Sequence, residues 1–157
     1  MGKINYGRVI LGGIVSGIIA TILDGFSNVV LLGQLMTDAM KSLNRPSSLP
    51  GPAVFGLILL EFVGGILAVW TYAAIRPRFG AGARTAVYAG LISWAFVCLP
   101  NAANALTGLF GPSLSLYLNL LSLASSIIAT IGGAALYKEA ESTAAYQAVA
   151  EARQTVR

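Results

Sequence analysis

The sequence predicts an all-α fold, a four-helix bundle embedded in a membrane with both termini in the cytoplasm. Of the 157 residues, 56% are hydrophobic and only 10% are charged, and the mean hydropathy is +0.76. Soluble domains carry about 25% charged residues, so this chain cannot cover itself with a water-facing surface. Its basic residues lie at the ends of long apolar runs, a pattern typical of membrane helices. We therefore expect the lipid bilayer to surround most of the chain.

Four apolar runs are long enough to cross the hydrocarbon core, which takes about 20 helical residues. We place these spans at residues 9–35, 52–75, 84–104 and 113–137. Residues 85–137 contain no charged side chain, and the prolines, glycines and asparagines of residues 100–112 predict the break inside this run. Nothing indicates a second domain, so we treat residues 1–157 as a single membrane domain.

The segments outside the spans predict the topology. Residues 37–43 predict a short interfacial helix, and residues 138–157 predict a cytoplasmic helical tail. Eight of the ten basic residues fall at one end of the predicted bundle, and two, Lys41 and Arg45, fall at the other. The eight are Lys3, Arg8, Arg76, Arg78, Arg84, Lys138, Arg153 and Arg157. Because cytoplasmic segments are enriched in lysine and arginine, both termini are predicted to be cytoplasmic.

Each span places its small and polar residues on one face when plotted at 100° per residue. Asp24 lies on this face of the first span, and Glu61 lies on that of the second. With a rise of 1.5 Å per residue, both acids lie about 20 Å from the cytoplasmic end of their spans. We therefore predict that the polar faces turn inward and that the two acids meet near one level.

Other residues complete the predicted polar core and the packing faces. Asn28, Asn101 and Asn119 are the further polar-core candidates. Residues predicted to pack helix against helix are Gly13, Gly17, Gly64, Gly65, Ser126 and Thr130. The first two form a GxxxG motif, which lets a second backbone approach closely. The polar and small residues of the fourth span form a stripe, which we call the hydroxyl stripe: Ser115, Asn119, Ser122, Ser126, Thr130, Gly133 and Tyr137. For this stripe we favour close packing over the lining of a pathway.

The two acids have two interpretations that the sequence leaves open. The only basic residue in a predicted span is Arg84, at the cytoplasmic start of the third, so none is available to neutralise Asp24 or Glu61. Two acids buried together also disfavour each other's ionised forms. They would share a proton or a cation in a small transporter or channel, because intramembrane acids commonly mark ion pathways. Alternatively, they are protonated and only form hydrogen bonds between helices.

Several protein classes are disfavoured by what the sequence lacks. With no histidine, a histidine-based zinc or di-iron site is excluded. Cys98 is the only cysteine, so no intrachain disulfide forms. There is no nucleophile motif, phosphate-binding loop or metal-ligand spacing. We therefore expect no enzymatic activity, no metal, no cofactor and no nucleic-acid partner.

Two segments resemble those of a known group of proteins. Residues 7–13 (GRVILGG) and residues 72–82 (YAAIRPRFGAG) are similar to segments of a family of small uncharacterised bacterial integral membrane proteins with four spans. The likeness covers mainly the first three spans. It implies the same topology, and it implies no particular activity.

The sequence thus predicts a non-enzymatic, multi-pass protein of the bacterial inner membrane. The leading hypothesis is an accessory or structural subunit of a larger membrane complex, or a self-associating bundle that forms a homo-oligomer. The alternative is a small proton- or cation-coupled transporter or channel that uses Asp24 and Glu61. A subunit requires an exposed small-residue face for its partner, whereas a transporter requires a hydrated route to the acids.

Overall fold

The computed structural model describes residues 4–139, which form five α-helices and no strand. The helices are α1 (Tyr6–Phe26), α2 (Gly33–Ser42), α3 (Gly51–Phe79), α4 (Ala83–Leu106) and α5 (Pro112–Ala134). A π-helical turn, Ser27–Leu31, extends α1. The predicted all-α bundle is confirmed. Four helices are each long and apolar enough to cross a membrane: α1 together with its π-helical turn, α3, α4 and α5. This is compatible with a multi-pass membrane protein.

Local backbone chemistry sets the ends of these helices. Asn5 caps α1, because its side-chain oxygen accepts a hydrogen bond from the Arg8 N–H at 3.2 Å. α3 and α5 each carry a proline in their first turn, where the missing N–H leaves no hydrogen bond unmade. The turn from α3 to α4 uses Gly80 and Gly82, whose φ angles of 85° and 128° favour glycine over other residues.

The first span ends earlier than the sequence predicts, and the break before the last span lies within the predicted residues 100–112. The first span ends at Leu31, where the π-helical turn gives way to α2, so residues 33–35 belong to α2 instead. α4 continues through Pro100 to Leu106, which confines the break to residues 107–111. A proline inside a helix removes a single backbone hydrogen bond, and membrane helices tolerate this loss.

The predicted helical tail differs as well. α5 ends at Ala134, a turn follows, and Lys138 and Glu139 are not helical. The remainder of the predicted tail, residues 140–157, lies outside the described residues. Helix α5 therefore stops where its last buried residues pack against the bundle and does not run on as the sequence predicts.

The four long helices form an antiparallel bundle. α1 packs along α3 and α5, and α4 packs along α5 and less extensively along α3. The two ends of the described chain meet, because the Asn5 N–H donates a hydrogen bond to the Tyr137 hydroxyl at 3.3 Å. Both ends therefore lie on one side of the bundle, as an even number of spans requires. The cytoplasmic assignment of that side stays a prediction from the basic residues.

The buried apolar core lies in the half of the bundle near these chain ends, which we call the packed half. Its members are Val9, Val69, Tyr72, Ala73, Ala86, Ala89, Ala134 and Tyr137. The rings of Tyr72 and Tyr137 meet edge to face with 5.9 Å between centroids. A Cβ built on Gly12 would lie 2.5 Å from the Gly133 carbonyl oxygen, so α1 and α5 touch backbone to backbone.

Helix α3 divides into two parts with different surroundings. Five residues of the part at residues 65–79 are buried: Gly65, Ala68, Val69, Tyr72 and Ala73. In the part at residues 51–64, which we call the free half of α3, no residue is buried. Phe55 and Leu60 there are 63% and 65% exposed. Such side chains suit contact with lipid and not with water.

Candidate functional site

A cavity of about 130 Å³ lies among the four long helices. Both intramembrane acids, Asp24 from α1 and Glu61 from α3, line it. Six hydroxyl side chains from α1, α4 and α5 also line it: Ser16, Ser93, Ser122, Ser125, Ser126 and Thr130. The fold therefore brings the two residues that the sequence singles out to one polar space.

Asp24 and Glu61 reach this cavity from different heights, which differs from the prediction of a single level. Gly17 of α1 packs against Phe62 of α3, since a Cβ built on Gly17 would lie 2.8 Å from the Phe62 Cα. Measured along the helix axes from that contact, and away from the packed half, the backbone of Asp24 lies about 9 Å further than the backbone of Glu61. Side chains tilt toward the N-terminus of their own helix, and the two helices are antiparallel. The two acids therefore lean toward each other.

Ser125 places a buried hydroxyl beside Asp24. This residue is 3% exposed and lines the cavity, and its hydroxyl lies within hydrogen-bonding reach of the Asp24 carboxyl group. The hydroxyl of Thr130 donates instead to a backbone acceptor, the Ser126 carbonyl oxygen, at 2.7 Å. The cavity therefore sets a hydroxyl from α5 next to one of its two acids.

The two acids of the cavity have no basic partner in its lining. No lysine or arginine is among the residues that line it. Its carboxyl and hydroxyl oxygens are acceptors that suit a proton, a cation or N–H donors. In the part of the chain that the structure describes, no three His, Cys, Asp or Glu side chains converge on one point, so this donor set does not fit a transition-metal centre.

The three asparagines predicted for the polar core lie outside the cavity lining. Asn28 donates from Nδ2 to the Asp24 carbonyl oxygen at 2.8 Å, which ties its side chain to the backbone beside the π-helical turn. Asn101 Nδ2 donates to Asn119 Oδ1 at 3.2 Å, and Trp94 Nε1 donates to the Asn119 carbonyl oxygen at 2.8 Å. These last two bonds hold α4 against α5, away from the two acids.

Most of the predicted packing residues lie between helices. Gly13, Gly17 and Gly65 form the contact of α1 with α3, where a Cβ built on Gly65 would lie 2.5 Å from the Gly13 carbonyl oxygen. Ser126 and Thr130 lie on α5, where they both pack and line the cavity. The hydroxyl stripe of α5 thus serves packing and cavity lining together, where the sequence favoured packing alone.

Gly64 is the exception, and it marks where the cavity opens. A Cβ built on Gly64 would have no neighbour within 4 Å, so the packing contact predicted for it does not form. The physical reason is that α3 buries no residue in its free half, which ends at Gly64. Gly64 and Val97 of α4 both line the cavity, and both are exposed. The cavity therefore opens sideways between α3 and α4.

Sequence reasoning missed three of the cavity serines: Ser16, Ser93 and Ser125. One of them carried a usable signal, because Ser16 lies eight residues before Asp24 and so shares its helical face. Ser125 has no such signal in the sequence, because it is next to Ser126 and helical periodicity does not show which of two neighbouring serines lines a cavity. Only the packing of the other helices makes that choice.

Comparison with known proteins gives no match: no family model, no curated protein and no solved structure matches this chain at a significant level. The resemblance of residues 7–13 and 72–82 to small bacterial membrane proteins stays a prediction. The geometry of the cavity is therefore the basis for assigning a function.

Proposed function

We propose that this protein is a small, non-enzymatic proton- or cation-coupled transporter or channel of the bacterial inner membrane, with Asp24 and Glu61 as its ion-binding groups. The observation that carries the proposal is the shared cavity, which brings together two acids from different helices and has no basic residue in its lining. Acidic groups within a membrane require a compensating partner. A proton or cation that binds and leaves again supplies that partner.

The competing interpretation is a pair of protonated acids that only joins helices. Groups with that role are expected to pack closely against their partners. Asp24 and Glu61 instead border a cavity that opens at Gly64, where a Cβ atom would meet no neighbour within 4 Å. Open space next to the acids favours a ligand over a purely structural pair.

Flux measurements in proteoliposomes test this proposal. We expect acid-dependent movement of protons or of an alkali cation. Loss of a charged partner weakens binding by roughly 1.5–3 kcal/mol, so D24N and E61Q should each lower the flux about tenfold or more. D38N is the matched control, because Asp38 is an exposed acid on α2 that accepts hydrogen bonds from Gln34. Equal flux in the wild type and all three variants would contradict the proposal.

An accessory subunit is the second candidate, and the free half of α3 favours it. No residue of this half is buried, so a helix of a larger membrane complex or of a second copy has a surface to cover. Native purification in mild detergent separates the two candidates. A stoichiometric partner, or a stable homo-oligomer that leaves no acid-dependent flux, would support the subunit over the transporter.

The proposed topology has its own test. Reporter fusions placed after Arg45 and after Gly82 should report opposite sides of the membrane, with the Gly82 fusion in the cytoplasm. Arg45 follows α2 and Gly82 precedes α4, so a single span, α3, separates them. Two reporters on one side would overturn the four-span arrangement.

A further inference from the structure

The rim of the cavity differs in chemistry from its interior. Inside are the two acids and the buried hydroxyls. At the opening are Gly64 and Val97, and one and two helical turns along α3 from Gly64 the same face continues with the exposed side chains of Leu60 and Leu57. A polar, acidic interior thus meets an apolar opening at the outer surface of the bundle.

We propose that the site binds an amphiphilic primary amine, whose ammonium group reaches Asp24 and Glu61 from the lipid through the opening between α3 and α4 while its apolar body occupies that opening. This inference rests on the proposed function and names the ligand class of the same site.

The lining of the cavity selects a primary ammonium among organic cations. An ammonium group has three N–H donors, and the cavity offers the carboxyl oxygens of two acids and the oxygens of six hydroxyl side chains as acceptors. No aromatic residue is among those that line the cavity. Quaternary ammonium groups, which donate no hydrogen bond and bind in aromatic cages, are therefore poorly matched to it.

The size of the cavity limits what enters it. A cavity of about 150 Å³ holds a molecule as large as benzene. At about 130 Å³, this cavity accommodates an ammonium group with its first few carbon atoms and little more. The rest of an amphiphilic amine must remain in the opening beside Gly64, where the surrounding surface is apolar.

The position of the opening selects a ligand that dissolves in lipid. Toward the packed half, the backbone contact of Gly12 with Gly133 and the ring contact of Tyr72 with Tyr137 close the bundle. The side opening lies among apolar side chains at the surface of the bundle, which suits a ligand that partitions into lipid. An amphiphilic amine does so, because each buried CH₂ contributes about 0.8 kcal/mol. Its neutral form crosses the opening and takes a proton from a carboxylic acid of the cavity, which leaves an ammonium ion paired with a carboxylate.

Equilibrium binding of radiolabelled 2-phenylethylammonium to the full chain in lipid nanodiscs tests this inference. E61Q should weaken binding about tenfold or more, because it removes a charged acceptor. G64L should weaken it similarly and slow association, because the leucine fills the opening. G56L is the matched control: a Cβ at either glycine meets no neighbour within 4 Å, and Gly56 does not line the cavity. Methylammonium, which lacks the apolar body, should bind more weakly.

The outcomes separate this inference from the proposed function. Binding that depends on Glu61 but is unchanged in G64L would overturn access through the side opening. Acid-dependent flux of protons or Na⁺, with no binding of 2-phenylethylammonium to the wild type, would overturn the ligand class and leave the proposed function standing. A purified complex in which a partner's helix fills the opening and excludes the amine would also overturn it. If no cation binds or moves through Asp24 and Glu61, both proposals fail.

Discussion

The two parts of α3 are both apolar, yet only one of them contains buried residues. Gly65 lies between the backbones of Gly13 and Gly17, which have no side chains to keep α3 at a distance. Gly56 and Gly64 are also glycines of α3, but a Cβ at either would meet nothing within 4 Å. A glycine therefore marks a helix contact only where the backbone of another helix faces it. The spacing of glycines within a single helix does not reveal this.

The same difference distinguishes two halves of the bundle. The packed half lies near the described chain ends, and the opposite half, which we call the open half, contains residues 51–64 of α3. Residues 65–79 of α3 join the core of Val69, Tyr72 and Ala73, whereas residues 51–64 bury nothing. Segments with few buried contacts open at low free energy, and segments that move in function are commonly drawn from them. We therefore expect the free half of α3 to move when a ligand occupies the cavity, and the packed half to stay fixed.

Enlarging a glycine gives the largest expected contrast between the two parts of α3. In G65L the new side chain would overlap the backbones of Gly13 and Gly17, and overpacking of this kind should lower the free energy of unfolding by about 3 kcal/mol. G64L, one residue away, should change it by less than about 0.5 kcal/mol, because its side chain points into open space. Reversible unfolding in mixed micelles measures both values. Equal losses would show that the free half of α3 is packed after all.

Reaction of introduced cysteines tests whether the cavity is accessible. In a C98A background, S122C places a thiol in the cavity and A89C places one in the packed half, where Ala89 is 0% exposed. Because thiol reactivity follows exposure, S122C should react with a small methanethiosulfonate reagent about tenfold faster or more than A89C. Stopped reactions followed by mass spectrometry give both rates. Similar rates would mean that the cavity is closed or that the packed half opens.

Removal of a tyrosine hydroxyl should have a moderate effect in the packed half only. Y137F keeps the ring contact with Tyr72 but removes the acceptor of the Asn5 N–H, so stability should fall by about 1 kcal/mol. Y117F is the control, since Tyr117 is 47% exposed in the open half and its hydroxyl should contribute little. Thermal unfolding in detergent compares the two variants. A larger loss in Y117F would reverse the assignment of the two halves.

The smallest effect is expected where side-chain hydrogen bonds join α4 and α5 in the open half. N101A removes the 3.2 Å bond from Asn101 to Asn119, and such bonds between membrane helices average about 0.6 kcal/mol. N104A is a nearby control, because Asn104 accepts the Thr107 and Leu109 hydrogen bonds with its backbone carbonyl, which the substitution keeps. The free energy of unfolding of both variants provides the comparison. A loss above about 2 kcal/mol in N101A would place a larger polar network there.

Much of the architecture was predictable because its causes are local. Scarcity of charge requires lipid around the helices, and the 3.6-residue period places Asp24 and Glu61 on inward faces. Helix ends were less predictable, because the first span ends at Leu31 and α5 ends at Ala134, both short of the predicted bounds. The sequence predicts the two acids of the site. It does not predict Ser125, because the position of that residue depends on how α5 is rotated against α1.

By itself, the sequence determined that the chain forms four apolar helices, that their polar faces turn inward, and that two uncompensated acids lie among them. These properties follow from composition and from the period of a single helix. Only the tertiary structure decided that Gly65 packs while Gly64 does not, that the three asparagines lie outside the cavity lining, and that the cavity opens between α3 and α4. The physical reason is that each depends on the register and separation of two helices, which neither helix encodes alone.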